Sequence, residues 1–158
     1  MTTKAATKGS ERPFDIVVFG ATGFTGKLTA EYLVQCAHSK KIKLAIAGRN
    51  SGKLEACKQD LMALNSKADI DTIEANSDDY TSLVKMAAQA KVVITTVGPY
   101  LKYGEPLVRA CVEAGTHYVD LTGEPEFVEG LEHDYHDQAA AKHIKIINCC
   151  GFDSIPHD

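Results

Sequence analysis

The stretch FDIVVFGATGFTG, from Phe14 to Gly26, decides the fold of this chain. Its first part, Phe14–Phe19, is a nearly continuous apolar run, which is typical of a strand buried on both faces of a parallel sheet. Glycines then recur at a G-x-x-G-x-x-G spacing, and an amphipathic helix is predicted to begin at Phe24. A strand, a glycine-rich turn and a helix in this order predict a dinucleotide-binding unit.

The glycines of this turn have separate physical roles. Gly20 allows a sharp turn out of the strand, and Gly23 lets the backbone approach a pyrophosphate closely because it has no Cβ. Gly26 allows the helix to pack tightly on the sheet. Thr22 is expected to cap the helix, whose free N–H groups and dipole would then face the phosphates.

The rest of the chain alternates short apolar runs with amphipathic stretches. We predict strands at residues 14–19, 42–47, 70–74, 91–97, 117–121 and 144–149, and helices at 24–37, 53–64, 79–89, 105–114 and 125–142. This alternation predicts an α/β, Rossmann-type doubly wound parallel sheet of about six strands, in the order 3-2-1-4-5-6.

Two helices carry more detailed expectations. In the first helix Leu28, Tyr32, Leu33 and Cys36 recur on one side, which we predict to face the core. In the fourth helix Pro106 is expected in the first turn, where a missing N–H leaves no intrahelical hydrogen bond unmade.

The end of the second strand indicates which dinucleotide is bound. Domains selective for NAD(H) usually have Asp or Glu here to hold the ribose 2′-hydroxyl, whereas this chain has Arg49 and Asn50. An arginine can hold a 2′-phosphate with paired hydrogen bonds, so we predict NADP(H) rather than NAD(H). The alternative is that Arg49 is a solvated surface cation.

The fourth strand ends in Val97, Gly98 and Pro99, which are expected to line the nicotinamide side of the crevice where the strand order reverses. The third strand is followed by Ala75–Asp78, which is expected near the adenine or as a helix cap. The predicted cofactor-binding residues are therefore Gly20, Thr22, Gly23, Phe24, Thr25, Gly26, Arg49, Asn50, Val97, Gly98 and Pro99.

The sequence assigns no catalytic residue. Tyr100 and Tyr103 are candidate proton donors, although a tyrosine after a strand is more often structural. Asp120 and Glu124 are candidate polar groups of the crevice, and Glu124 could instead favour the N-terminus of the helix that follows it. The stretch EHDYHD at residues 132–137 offers two histidines but no third ligand, so no metal site is predicted.

Composition bounds the remaining possibilities. A length of 158 residues fits one domain, and a formal net charge of −4 does not favour a nucleic-acid partner. No apolar run is long enough to span a bilayer. Residues 1–13 are polar, lack the apolar core of a secretory signal, and are predicted to be a disordered lead-in. With five cysteines and no C-x-x-C, a reducing compartment on the cytoplasmic side is expected.

Five motifs in order resemble those of the saccharopine dehydrogenase-like oxidoreductases, a family that includes the trans-acting enoyl reductases of bacterial lipid synthesis. They are FGATGFTG (19–26), AGRN (47–50), VGPY with YGEP (97–100 and 103–106), DLTGE (120–124) and GFDSIP (151–156).

The resemblance implies an NADP(H)-binding domain at residues 14–150, with 151–158 as the start of a truncated catalytic domain. It implies hydride transfer to or from a small-molecule or lipid-like substrate by the full-length protein, which could form a homodimer through the missing domain. The isolated chain would then be inactive. The alternative function is a non-catalytic module that senses NADP(H) or acts as a scaffold.

Overall fold

The computed structural model describes residues 12–40, 42–151 and 155, and these residues form one six-stranded sheet with five helices. The strands are β1 (Phe14–Phe19), β2 (Leu44–Gly48), β3 (Ile70–Glu74), β4 (Ala90–Thr95), β5 (His117–Val119) and β6 (Ile146–Ile147). The helices are α1 (Phe24–Lys40), α2 (Ser51–Leu64), α3 (Tyr80–Ala87), α4 (Tyr100–Ala114) and α5 (Pro125–Ala141).

The sheet has the predicted topology. All its strands are parallel, and their order is β3-β2-β1-β4-β5-β6. Phe19 at the end of β1 pairs with Ala47 of β2 on one side and with Thr95 of β4 on the other. The carboxyl ends of these three strands therefore meet at one edge, which is where the glycine turn begins.

Helices cover the two faces of the sheet unequally. Helices α1 and α2 bury Val34 and Leu61 against Val18 of β1, Ile46 of β2 and Ile70 of β3. Helices α3, α4 and α5 pack on the opposite face, where a larger core surrounds residues such as Tyr118. The fold class is thus the expected doubly wound α/β sheet.

The predicted buried side of α1 is wrong for Leu28 and Tyr32, whereas Leu33 is half-buried and packs against the core. Leu28 and Tyr32 are exposed, whereas Gly26, Ala30 and Val34 are buried at a spacing of four residues. Small side chains face the sheet because α1 lies close to the end of β1, and large apolar side chains do not fit there. The sequence prediction favoured the larger residues over the correct spacing.

Helix α4 begins five residues earlier than expected. Pro99 occupies its N-cap position and Pro106 lies inside the helix rather than in its first turn. The first turn of the longer helix is stabilised by Glu124, a residue far along the chain whose carboxylate accepts hydrogen bonds from the N–H groups of Tyr100 and Leu101.

Arg12 joins elements at the opposite edge of the sheet. Its guanidinium donates hydrogen bonds to the carbonyl groups of Ala87 and Ala90 and to those of Ala114 and Gly115. It therefore links the ends of α3 and α4 to the start of β4. Residues 1–11 of the predicted lead-in lie outside the described residues.

Candidate functional site

A cavity of about 340 Å³ lies at the carboxyl edge of the sheet, where β1, β2, β3 and β4 end. It is bordered by the glycine turn, by the residues that follow β2 and β3, and by the end of β4. The predicted cofactor residues that line it are Gly20, Thr22, Gly23, Arg49, Val97 and Gly98. The topology thus brings together residues separated by up to 78 positions.

The glycine turn packs directly against the end of β4. Gly20 has a φ of 89°, in the left-handed region, and a Cβ there would lie 2.8 Å from the side chains of both Thr96 and Val97. A Cβ on Gly26 would lie only 2.1 Å from the carbonyl oxygen of Gly20. These contacts explain the glycines at both positions without reference to a ligand.

Helix α1 begins with its N-terminus at this cavity. The carbonyl oxygen of Gly23 accepts the first helical hydrogen bond, from the N–H of Lys27 at 2.9 Å. Gly23 is therefore the N-cap residue, and the expected cap by Thr22 is wrong. The first-turn N–H groups of Phe24 and Thr25 have no intrahelical acceptor, as in any helix, so they are available to an anion.

The residues after β2 have different surroundings. Arg49 is exposed and lines the cavity, whereas Asn50 does not line it. The side-chain oxygen of Asn50 accepts a hydrogen bond from the N–H of Lys53 at 2.8 Å and caps α2. Asn50 thus fixes the start of α2 directly beside Arg49.

The loop after β3 is also part of the cavity. Helix α3, which follows this loop, has Asp79 as its N-cap residue, because the Asp79 carboxylate accepts a hydrogen bond from the N–H of Ser82. Ser77 and Asp78 are therefore not the cap. Both line the cavity together with Asn76. Propensity alone could not choose among these consecutive cap-forming residues, which is why the sequence left their role open.

A second cavity of about 540 Å³ adjoins the first at Thr96, which lines both. It lies beside α1 and β5 and is lined by apolar residues that include Tyr32, Ile94 and Val119, and also by Thr25. Tyr32 and Leu33, which were predicted to face the core, thus line this cavity. Phe24 is 85% exposed and lines neither cavity.

Asp120 is buried at the end of β5 and is occupied by hydrogen bonds. Its carboxylate accepts from the Tyr118 hydroxyl at 2.9 Å, the Asn148 amide at 2.7 Å, and the N–H groups of Thr122 and Cys149 at 3.1 Å. It therefore holds the segments after β5 and β6 together. Burial and the neighbouring carboxylate raise the pKa of the Tyr118 hydroxyl.

Glu124 is likewise committed to a structural contact. Its two carboxylate oxygens accept from the N–H groups of Tyr100 and Leu101, each at 2.8 Å. It stabilises the N-terminus of α4, not that of the following helix α5, where its side chain forms no cap.

Tyr100 is buried, its hydroxyl donates to the Thr95 carbonyl, and burial raises its pKa to about 12. Neither Tyr100 nor Glu124 is placed to exchange protons with a ligand.

Two further observations concern the described residues only. None of the helices described in them combines the length and apolar character needed to cross a bilayer. No three side chains of His, Cys, Asp or Glu in the described ranges are grouped as metal ligands.

The chain resembles known proteins over most of its length. Residues 16–147 match the family model described as the saccharopine dehydrogenase NADP binding domain. The chain is 51% identical over 150 residues to the trans-acting enoyl reductase of Mycobacterium tuberculosis and 45% identical over 149 residues to that of Mycobacterium ulcerans. Each alignment covers 94% of this chain but only 35% of the relative, so the chain spans about a third of their length.

Solved structures show the same fold at low identity. Apo saccharopine dehydrogenase (L-Glu forming) from Saccharomyces cerevisiae aligns with a TM-score of 0.68 and 19% identity, over 89% of this chain and 28% of that chain. An NADPH-dependent reductase involved in bacilysin biosynthesis aligns with a TM-score of 0.64 and 12% identity, over 85% of this chain and 70% of that chain.

Proposed function

Because the chain belongs to the saccharopine dehydrogenase NADP-binding domain family, we propose that it is the cofactor domain of an oxidoreductase that transfers hydride between NADP(H) and an organic substrate. The observation that carries this proposal is the position of Arg49, at the end of β2, in the same cavity as the glycine turn. A pyrophosphate at the turn and a 2′-phosphate at Arg49 would occupy the two ends of one adenosine half.

The residues of the glycine turn and of the start of α1 have distinct roles in this arrangement. Gly20 makes the sharp turn out of β1, Gly23 leaves room for the pyrophosphate, and the first-turn N–H groups of Phe24 and Thr25 face its negative charge. Gly26 contributes indirectly, because it lets α1 pack close enough for those N–H groups to reach the phosphates.

The 2′-phosphate is proposed to lie against Arg49, with Asn50 fixing the backbone beside it. Val97 and Gly98, which line the first cavity, would border the nicotinamide ribose, and the cofactor would continue past Thr96 toward the second cavity. Pro99 lines neither cavity and would fix the turn beside them. When bound there, NADPH supplies the hydride, while this domain holds and orients it.

The names of the relatives, trans-acting enoyl reductases, support a proposal for the reaction class of the full-length protein. We propose reduction of an enoyl group in a small-molecule or lipid-like substrate, with residues 14–150 as the cofactor domain and 151–158 leading into a second domain. The proton donor is expected in that second domain, because Tyr100, Asp120 and Glu124 are held by structural hydrogen bonds. This chain alone is expected to bind NADPH and to catalyse little.

Calorimetric titration of this chain with NADPH and NADH tests the cofactor assignment. We expect NADPH to bind at least about tenfold more tightly, a difference of about 1.4 kcal/mol. Arg49→Asp should abolish this preference because it replaces the phosphate-binding cation with an anion. Lys67→Asp is the matched control, since it makes the same charge change at an exposed residue outside the cavity.

Equal affinities for the two nucleotides in the wild-type chain, or a preference that survives Arg49→Asp, would contradict the NADP(H) assignment. If neither nucleotide binds, the same titration is repeated on the full-length protein. Binding by the full-length protein would mean that the second domain completes the site. If the full-length protein also binds neither nucleotide, the result would favour a family fold that no longer binds the cofactor.

A further inference from the structure

We infer that Tyr103 forms the wall on which the adenine of the cofactor stacks, so that the adenosine half lies between an aromatic ring and the Arg49 guanidinium. This inference rests on the proposed NADP(H) binding. It assigns a binding role to a residue that the sequence offered only as a proton donor.

Tyr103 has the exposure that a stacking surface needs. Two aromatic residues line the cofactor cavity, Phe19 and Tyr103. Phe19 is almost completely buried in the core, so its ring cannot present a face to a ligand. Tyr103 is half-buried in the first turn of α4 and contributes its side chain to the cavity.

The neighbours of Tyr103 place it at the adenosine end of the cavity. Tyr103 lines the cavity together with Asn76, Ser77 and Asp78 of the loop after β3. Helix α4 packs against α3, which begins just after that loop, so the first turn of α4 and the loop after β3 border the same opening. That loop lies beside β2 and Arg49, away from the second cavity that begins at Thr96.

The chemistry of the cofactor requires a base at this end. The ribose that carries the 2′-phosphate also carries the adenine on the neighbouring carbon, so a phosphate held by Arg49 leaves the adenine close by. The Lys102 ammonium lies 4.9 Å from the centre of the Tyr103 ring, over one of its faces, and we place the base on the opposite face. Stacking of a base on an aromatic side chain is worth about 1–3 kcal/mol.

The test separates the two halves of the cofactor. Adenosine 2′,5′-bisphosphate carries the adenine and the 2′-phosphate, whereas nicotinamide mononucleotide carries neither. Calorimetry with Tyr103→Ala is expected to show affinities for NADPH and the bisphosphate lowered by the same factor, about 5- to 150-fold. Affinity for the mononucleotide should be unchanged.

Two variants make the interpretation specific. Tyr103→Phe keeps the ring and should bind within about twofold of the wild-type chain, because stacking does not use the hydroxyl. Tyr32→Ala removes an exposed tyrosine that lines the second cavity and should leave bisphosphate binding unchanged. Thermal unfolding of each variant, followed by circular dichroism, checks that a loss of affinity is not a loss of fold.

The outcomes distinguish the two proposals. Undiminished bisphosphate binding in a folded Tyr103→Ala chain would overturn the stacking role while leaving NADP(H) binding intact. Equal losses in the Phe and Ala variants would also overturn it, since they would assign the effect to the hydroxyl. Failure of both this chain and the full-length protein to bind NADPH or the bisphosphate would remove the proposed function, and the stacking role with it.

Discussion

Replacing Gly26 with alanine should destabilise the domain, because there is no space for the added methyl group. The added Cβ would lie 2.1 Å from the Gly20 carbonyl oxygen and 2.8 Å from the Thr96 hydroxyl oxygen. An unstrained contact needs about 3.5 Å, so backbone atoms must shift by about 1 Å. Overpacking of this kind costs up to about 3 kcal/mol, and the better helix propensity of alanine returns about 1 kcal/mol.

The expected net destabilisation is therefore about 2 kcal/mol, which lowers the melting temperature of a domain of this size by roughly 4–8 °C. Urea and thermal unfolding followed by circular dichroism would measure it. Gly130→Ala is the matched control, because Gly130 lies in the middle of α5 with nothing within 4 Å of an added Cβ. That control should gain up to about 1 kcal/mol of stability from helix propensity.

Gly23→Ala separates packing from ligand binding at the same turn. Its Cβ would lie 3.3 Å from the Gly20 carbonyl oxygen, which a small adjustment relieves, so its stability should fall by no more than about 1 kcal/mol. NADPH affinity should fall by a larger free energy, because the added methyl group would lie where we propose that the pyrophosphate binds. A Gly26→Ala chain as stable as the Gly130→Ala chain would refute the close-packing argument.

Three other perturbations test contacts within the fold. Arg12→Met should cost about 2–3 kcal/mol in urea unfolding, because it removes hydrogen bonds from a charged donor to carbonyl groups of two helix ends; a change below about 0.5 kcal/mol would contradict this role. Glu124→Gln should speed hydrogen exchange at the Tyr100 and Leu101 amides with no comparable change elsewhere in α4, measured by NMR. Burial raises the pKa of Tyr100 from about 10 to about 12 in the folded chain, so stability is lost as the pH rises between these values, by up to about 2 kcal/mol once solvent screening is allowed for. Alkaline unfolding monitored by circular dichroism should lose that part of its pH dependence in Tyr100→Phe, and an unchanged profile would refute it.

The sequence predicted the type and order of the elements because both depend on local patterns. Apolar runs between turns indicated strands, and the glycine spacing fixed the connection from β1 to α1. The prediction of the buried side of α1 failed because burial there depends on the size of the side chain and not only on its hydrophobicity. In α1, a stripe of Gly26, Ala30 and Val34 faces the sheet, and apolar bulk alone pointed to Leu28 and Tyr32 instead.

The early start of α4 shows a second limit. The hydrogen bonds that stabilise its first turn come from Glu124, 24 residues after Tyr100. No local propensity contains that contact, since it exists only once β5 lies beside β4 and the segment after β5 reaches the start of α4. The early start of α4 also places Tyr103 in its first turn, where it lines the first cavity.

The two cavities differ in a way that bears on catalysis. The first combines a helix N-terminus, an exposed arginine and a half-buried aromatic ring, which are groups suited to holding a nucleotide. The second is largely apolar, and the carboxylate at its edge, Asp120, already accepts four hydrogen bonds from neighbouring residues. A general acid must be free to give up and regain a proton. A carboxylate that holds two strand ends together would have to break those contacts to do so, and for that reason we expect this domain to position the hydride donor and another part of the protein to supply the proton.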